Sequence, residues 1–437
     1  MEHCSPARAV PCPPVSTTGS EVGVEPAPGL GEVVRSRSVA TLLLLGFAAH
    51  TASFLQAAVL GKQLYDITGS TLALGLLGLV EFLPALLLMP VTGGAADRFD
   101  RRHVGAAGIY AETLTALFLA FYASTDPTSA IPLFLVAAVF GTARAFVAPC
   151  TRSLAPLVAP PRGLQRVVAV NSVVWQTGLI IGPAASGFLY DRSAALPYLV
   201  AAACFAIGAT LLATIPLRTP QSRLVAMERA TVRRAIEGLR FVRSQPILLG
   251  AIALDLFAVL FGGAVALLPA IAEERLGVGN VGYGWLRAAP GVGAIVLAGI
   301  LAFRPTRRRV GRTLLLAVAV FGAATVVLGL TRSFVVAFGA LVVLSGADAV
   351  SMFIRQTIVP LATPDSMRGR VTAVENVFIG ASNELGAFES GVVSTAIGIA
   401  PTVALGGAVT MLVVAVWWWA FPRLRRLDRF DDLEHAR

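Results

Sequence analysis

Long apolar runs occupy most of the chain and are separated by short polar segments that carry most of its charge. A helix of about 20 apolar residues crosses the roughly 30 Å hydrocarbon core of a bilayer. We therefore predict an all-α membrane protein in which each long run is a transmembrane helix. The predicted spans, numbered one to twelve in chain order, are 38–61, 71–92, 104–123, 131–150, 167–190, 195–216, 247–272, 283–303, 313–331, 334–354, 370–394 and 398–421.

The composition agrees with a membrane protein and argues against other classes. The 437 residues are 56% hydrophobic and only 14% charged, whereas about 25% of the residues in soluble domains are charged. A net charge of +10 would suggest a nucleic-acid partner in a soluble protein. Here the charges lie in short loops between the spans, so we expect the lipid bilayer as partner and no nucleic acid. The four cysteines fit neither a disulfide framework nor a metal site.

The distribution of basic residues predicts the topology. If the N-terminus is cytoplasmic, the segments on that side hold 29 of the 35 Lys and Arg residues, Arg355 among them. Positive charge concentrates in cytoplasmic loops of membrane proteins. We therefore expect both termini in the cytoplasm and an even number of spans.

The chain divides into two similar halves. A shift of 204 residues places Pro156 on Pro360 and Gly187 on Gly391, and two parallel six-helix halves are a known transporter architecture. The basic segment between the halves, 217–246, is predicted to contain an amphipathic helix that lies on the membrane. The predicted domains are a disordered cytoplasmic tail (1–34), an N-terminal six-helix bundle (35–216), the cytoplasmic linker (217–246), a C-terminal six-helix bundle (247–421) and a cytoplasmic tail (422–437).

The loop after span two reads GGAADRFDRR from Gly93 to Arg102. It resembles the loop motif of the major facilitator superfamily, Gly-x-x-x-Asp-Arg-x-Gly-Arg-Arg/Lys, with Asp100 in place of the second glycine. A glycine lets helices approach closely, and an aspartate can pair with a nearby arginine and face a helix N-terminus. The alternative is a plain positively charged loop. The resemblance implies a conformational latch made of Gly93, Asp97, Arg98, Arg101 and Arg102.

Span five carries the glycine-rich string Gly178-x-x-x-Gly182-Pro183-x-x-Ser186-Gly187. It resembles the antiporter motif of the same superfamily, with Ser186 replacing one glycine. Small residues permit tight helix packing, and a proline bends the helix. The resemblance implies an exporter that exchanges substrate for protons, whereas the alternative is ordinary small-residue packing.

Span eleven, from Phe378 to Gly391, resembles the branch of the superfamily that contains the enterobactin exporter and macrolide efflux proteins. This resemblance implies two bundles that rock around a central cavity lined by spans one, four, seven and ten. It also implies a monomer in the bacterial inner membrane, with the proton gradient as energy source and no cofactor. A macrolide, another drug-like compound and a siderophore all remain open as substrates.

Ionisable residues inside a membrane are costly and therefore usually functional. Arg144 and Asp348 occupy equivalent positions in the two halves, so they could pair across the cavity as a gate. The alternatives are that each pairs within its own half, and that each acid only makes a structural hydrogen bond. The candidate proton or substrate site comprises Glu81, Arg144, Asp255, Asp348, Glu384 and Glu389.

Helical spacing separates the glutamates of span eleven. Glu375 and Glu389 share one face and Glu384 points to the opposite side, so the three cannot serve one cavity. Glu375, near the inner end, could join the latch. Arg287, near an outer end, could simply extend its charged head to the membrane surface.

The motifs of common enzyme classes are missing from the sequence. It contains no nucleotide-binding Gly-x-x-x-x-Gly-Lys loop and no His-Glu-x-x-His metal helix. We therefore expect no enzyme and no metal site. The predicted function is a proton-driven exporter of small molecules, the alternatives being an importer on the same fold and a membrane sensor that does not transport.

Overall fold

A computed structural model describes residues 29–217, 232–303 and 308–433, and these residues form helices without any β-strand. Eleven of the helices are long and apolar enough to cross a membrane. They correspond to spans one to ten and span twelve: Arg37–Thr68, Thr71–Arg98, Arg101–Ala123, Ile131–Arg152, Leu164–Arg192, Leu196–Thr214, Pro246–Arg275, Asn280–Phe303, Val310–Leu330, Phe334–Leu361 and Ile399–Ala420.

Span eleven, Asp365–Ile397, is more polar than the other long helices. Its 33 residues reach about 50 Å at 1.5 Å per residue, which exceeds the thickness of a bilayer core. Its three glutamates lower its hydropathy, but it packs against spans two and seven like the others. Each predicted span therefore corresponds to a long helix, and the all-α architecture is confirmed.

The spans form two bundles of six. In the N-terminal bundle, span one packs on spans five and six, and span four packs on spans two and three. In the C-terminal bundle, span ten packs on spans eight and nine, and span nine packs on span twelve. Each bundle has its own buried apolar core. Span five crosses to span eight, and span two crosses to span eleven, so these two pairs join the bundles.

The bundles meet mainly at one face of the molecule. We call the face with the first residue of span one and the last of span twelve the terminal face, and the other the opposite face. A buried apolar cluster at the opposite face combines Ala58, Tyr65 and Leu74 of the N-terminal bundle with Leu268 and Tyr283 of the C-terminal bundle. The contact between the bundles is therefore closed at the opposite face.

Span seven is not a continuous α-helix. It runs as Pro246–Phe261, then tightens into a 3₁₀ turn at Gly263–Leu267 and widens into a π turn at Ile271–Arg275. A Cβ atom at Gly263 would overlap the backbone of span eleven at Gly386. Glycine therefore allows span eleven to pass close to the break.

The structure adds detail at both predicted ends of the chain and corrects one of them. Helix Leu30–Arg35 overlaps the last five residues of the predicted disordered tail (1–34), so helical structure extends further toward the N-terminus than expected. Residues 1–28 lie outside the described residues. The segment predicted as the C-terminal tail contacts span nine, since the amides of Val310 and Gly311 donate hydrogen bonds to the carbonyls of Asp428 (3.2 Å) and Leu427 (3.0 Å).

The linker contains the expected helix, Val232–Ser244. Ile236 and Leu239 are exposed on it, while Glu237 forms an ion pair of 2.8 Å with Arg370 of span eleven. This pair fastens the linker to the C-terminal bundle. Residues 218–231, 304–307 and 434–437 lie outside the described residues, as do the side chains at positions 232–235.

Candidate functional site

A cavity of about 590 Å³ lies between the two bundles. Its walls come from spans one to five of the N-terminal bundle and from spans seven, eight and eleven of the C-terminal bundle. Phe54 and Trp175 form an aromatic part of the wall, with ring centroids 5.5 Å apart in an edge-to-face arrangement. Spans one, four and seven line it as expected, but none of the described lining residues comes from span ten.

An ion pair from the N-terminal bundle faces this cavity. Arg144 Nη1 of span four donates to Glu81 Oε1 of span two at 2.7 Å. The Arg144 guanidinium also lies 5.7 Å from the Phe140 ring centroid. Glu112 of span three, only 2% exposed, lies at the same wall. The predicted site does not include Glu112.

The C-terminal bundle contributes an acid of its own to the cavity. Glu384 of span eleven reaches span two beside Gly78, where any added Cβ atom would overlap the Glu384 carboxylate. Arg287 also lines the cavity, and its Nη1 donates to the Val265 carbonyl at 3.0 Å in the broken part of span seven. Arg287 therefore stabilises that break, which corrects the prediction that it extends to the membrane surface.

The proposed pair across the cavity is not formed. Arg144 pairs with Glu81 in its own bundle, while Asp348 lines a small separate pocket with Asp255. The alternative that each pairs within its own half holds for Arg144, whereas none of the described residues forms an ion pair with Asp348. Equivalent positions in the two halves thus carry charges that face different environments.

A buried charge cluster lies in the C-terminal bundle. Arg355 of span ten pairs with Asp255 of span seven at 2.8 Å and lies 3.8 Å from the carboxylate of Glu375 on span eleven. Arg355 is 2% exposed. Its predicted place is a cytoplasmic loop, because predicted span ten ends at residue 354, whereas the helix continues to Leu361. Glu375 belongs to this cluster, which corrects its assignment to the latch.

One sequence signal could have revealed Arg355. It follows Asp348 by seven residues, which is two helical turns and the same helix face. A basic residue at that distance from a membrane-embedded acid indicates a longer helix and a charge cluster. Of the three glutamates on span eleven, only Glu384 is among the described residues that line the cavity. The Glu389 carboxylate instead accepts a hydrogen bond of 3.3 Å from the hydroxyl of the adjacent Ser390.

The glycines of span five lie at contacts with other spans. A Cβ atom at Gly182 would come within 2.7 Å of the Thr51 carbonyl oxygen of span one, and one at Gly178 within 3.0 Å of His50. At Gly187 it would come within 2.5 Å of the Asn280 carbonyl oxygen of span eight. Pro183 lies in the same helix, next to Gly182. This motif therefore permits close packing inside the N-terminal bundle and between the bundles.

The loop motif is described only in part. Asp100 caps span three, since its carboxylate accepts from the Arg102 backbone amide at 2.9 Å and from the Arg102 guanidinium at 2.8 Å. The residue that departs from the superfamily pattern thus has a structural role as a helix cap. The surroundings of Gly93 and the side chain of Asp97 lie outside the described part of the structure. The latch, including Arg98 and Arg101, stays a prediction.

A polar network joins the bundles at the opposite face. Lys62 of span one, the only lysine of the chain, bonds Asp66 and reaches Glu273 of span seven at 3.0 Å. Tyr65 donates to Glu274, and the Tyr283 hydroxyl donates to the Ala58 carbonyl at 2.8 Å. These contacts hold the opposite face closed beside the apolar cluster.

Comparison with known proteins assigns the fold to a family. The model of the Major Facilitator Superfamily matches residues 42–387. The chain belongs to this superfamily. It is therefore a multi-pass membrane transporter and not an enzyme.

Several bacterial transporters resemble the chain in sequence, among them the following three. Multidrug efflux pump Tap of Mycolicibacterium fortuitum is 26% identical over 410 residues, covering 89% of this chain and 97% of the relative. The uncharacterised MFS-type transporter YfiS of Bacillus subtilis is 27% identical over 284 residues, and the match spans 62% of this chain and only 63% of YfiS. Macrolide efflux protein A of Streptococcus pyogenes is 28% identical over 143 residues, covering 32% of this chain and 35% of the relative.

Solved transporters share the architecture. A bacterial homologue of the human lysosomal transporter Spinster, in an inward-facing and unoccupied conformation, superimposes with a TM-score of 0.67. The two are 15% identical, and the superposition covers 92% of this chain and 98% of the other. This similarity establishes the major facilitator fold and leaves the substrate open.

Proposed function

We propose that the chain is a secondary active exporter of small molecules that exchanges its substrate for protons by alternating access. The observation that carries the proposal is the cavity between the bundles, with the Glu81–Arg144 pair on one wall and Glu384 on the other. Its volume of about 590 Å³ lies in the range of about 300–1,000 Å³ that holds drug-sized ligands.

The direction of access follows if the topology prediction is right. With both termini in the cytoplasm of a bacterial inner membrane, the opposite face is the outer face, and the Lys62–Glu273 network closes it. The cavity would then load from the cytoplasm or the inner leaflet. Opening this network while the terminal face closes would release the substrate outside, in the manner of two rocking bundles.

Three carboxylates at the cavity can accept protons. Glu81 pairs with Arg144, Glu112 lines the same wall, and Glu384 approaches from the other bundle. A proton that neutralises one of these acids changes the relative stability of the open and closed states, because the two states surround that acid differently. The names of Tap and macrolide efflux protein A support export of drug-like compounds, and a siderophore is a further candidate substrate.

The test is the accumulation of lipophilic dyes and macrolide antibiotics in efflux-deficient cells that express the protein, with and without a protonophore. We expect lower accumulation that the protonophore abolishes, and we expect E81Q to lose the effect. Asp126, exposed in a loop, supplies the matched control D126N, which should behave like the wild type. Higher accumulation than in empty cells would indicate an importer, and binding without any movement of substrate would indicate a sensor.

A further inference from the structure

The C-terminal bundle contains a second polar pocket that is separate from the cavity. Asp255 of span seven and Asp348 of span ten line it together with Ser351, and no described residue lines both this pocket and the cavity. Ser351 is only 3% exposed, and its hydroxyl has no hydrogen-bond partner in the described part of the chain. The pocket, about 10 Å³, is close to the smallest that holds one water molecule.

The charges around this pocket do not balance. Arg355 pairs closely with Asp255, but its 3.8 Å separation from Glu375 is too long for a hydrogen bond. None of the described residues forms an ion pair with Asp348. Three carboxylates therefore depend on one guanidinium, and an uncompensated charge in an interior of low dielectric constant is unfavourable.

In the part of the chain that the structure describes, the helices around the pocket supply no further charge to it. Asp348, Ser351 and Arg355 follow one another at intervals of three and four residues, so they lie on one face of span ten. Span nine contributes only the apolar Val318 and Phe321. Among the described residues, the charged groups that line or adjoin the pocket are Asp255, Asp348, Arg355 and Glu375.

We propose that this pocket is a proton-binding site, in which Asp348 and Asp255 share one proton taken from water and the Ser351 hydroxyl completes the hydrogen bonds. Proton binding removes one of the uncompensated negative charges. A metal cation fits less well, because hard cations require about six or more oxygen ligands and the pocket offers two carboxylates and a hydroxyl. No group of acidic, His and Cys side chains in the described ranges is arranged to hold a metal ion.

The site connects to the cavity through Arg355. Without the proton, both aspartates attract the guanidinium towards spans seven and ten. With the proton bound, Glu375 of span eleven becomes a stronger competitor for Arg355, because one negative charge beside the aspartates is gone. Span eleven also carries Glu384 into the cavity, nine residues further along. Protonation can therefore bias the position of a helix that contacts both bundles. The site itself depends neither on the direction of transport nor on its substrate.

The test is infrared difference spectroscopy of the purified full-length protein in detergent, titrated from mildly acidic to mildly alkaline buffer. The wild type should show the carbonyl band of a protonated, buried carboxyl group that disappears on titration. D348N should lose this band. D126N, at an exposed loop position with a positive φ of 49° that asparagine also adopts, is the matched control and should retain it.

S351A provides a second measurement that keeps every charge in place. Removing the hydroxyl removes a hydrogen bond to the protonated carboxyl group, so the band should shift and not vanish. A band unchanged in D348N would overturn the proposal, as would a band that is lost when sodium replaces choline in the buffer. If D348N does not fold, an unshifted band in S351A overturns it. All these readouts are independent of transport, so a failed transport assay would affect the proposed function alone.

Discussion

The two bundles each place one arginine among several acids, but in opposite environments. The Arg144 side chain of the N-terminal bundle is 51% exposed and faces the cavity, whereas that of Arg355 in the C-terminal bundle is 3% exposed and sealed among spans seven, ten and eleven. When an ion pair is accessible, the arginine can exchange its carboxylate for a ligand, and the carboxylate can exchange the arginine for a proton. A sealed ion pair cannot take up a ligand from the cavity, and Arg355 instead links the three helices that surround it.

The comparison predicts a large difference in stability between two arginine substitutions. R355A leaves Asp255 and Glu375 buried without a cation, and removal of one partner from a buried pair costs about 3–5 kcal/mol. R144A removes a half-exposed partner, for which exposed pairs suggest about 0–1 kcal/mol. Thermal unfolding in detergent, monitored as the loss of the monodisperse peak in size-exclusion chromatography, should show a clearly lower midpoint temperature for R355A. Equal midpoints for the two variants would break the comparison.

The same comparison shows what the sequence could predict. The positions of the spans followed from the length of apolar runs, because a bilayer fixes how many apolar residues a helix needs. The end of span ten could not be predicted in this way, because the polar residues Arg355 and Gln356 interrupt the apolar run and resemble the start of a loop. Its helix continues because Asp255 and Glu375 on neighbouring spans surround the arginine.

Charge pairing was harder to predict than span position. The repeat aligns Arg144 with Asp348 in sequence, but the partner of a side chain depends on helix rotation and on neighbours that alignment does not include. Glu81, the true partner of Arg144, lies on another span of the same bundle. The break in span seven was also missed, because the flexibility of Gly262 and Gly263 is visible in sequence but the crossing of span eleven is not.

Charge exchange in the cavity distinguishes the observed pair from the one that the repeat suggested. A hydrogen bond to a charged group contributes about 1.5–3 kcal/mol, so E81R and R144E alone should each lower transport by about tenfold or more. In the wild type, the charged atoms of positions 81 and 144 lie 2.7 Å apart. The double variant E81R/R144E again places opposite charges at these two positions and should recover several-fold more transport than either single variant. Efflux of a substrate identified in the accumulation assay is the measurement.

The matched control is the exchange between the bundles. R144D/D348R reverses the charges of two groups that are not in contact and should recover nothing beyond its single variants. If this double variant recovered transport while E81R/R144E did not, the two bundles would pair across the cavity in a working state. The separation of their charge clusters would then hold for one conformation only.

The smallest expected effect concerns the contact between the bundles at the opposite face. G187A places a Cβ atom 2.5 Å from the Asn280 carbonyl oxygen, and two helix backbones must separate to admit it. The Lys62–Glu273 ion pair across the same face should then open more often. Because Lys62 is the only lysine of the chain, modification by an amine-reactive reagent, located by mass spectrometry, reports this opening directly.

We expect the rate of Lys62 modification in G187A to rise about two- to fivefold, since partly exposed ion pairs contribute about 0–1 kcal/mol. G299A, on the same span eight as Asn280 but with open space around its Cβ position, should leave the rate unchanged. A rate in G187A equal to that of the wild type would mean that the close approach of spans five and eight does not hold the bundles together. The glycine string of span five would then serve packing inside the N-terminal bundle, where Gly178 and Gly182 meet span one.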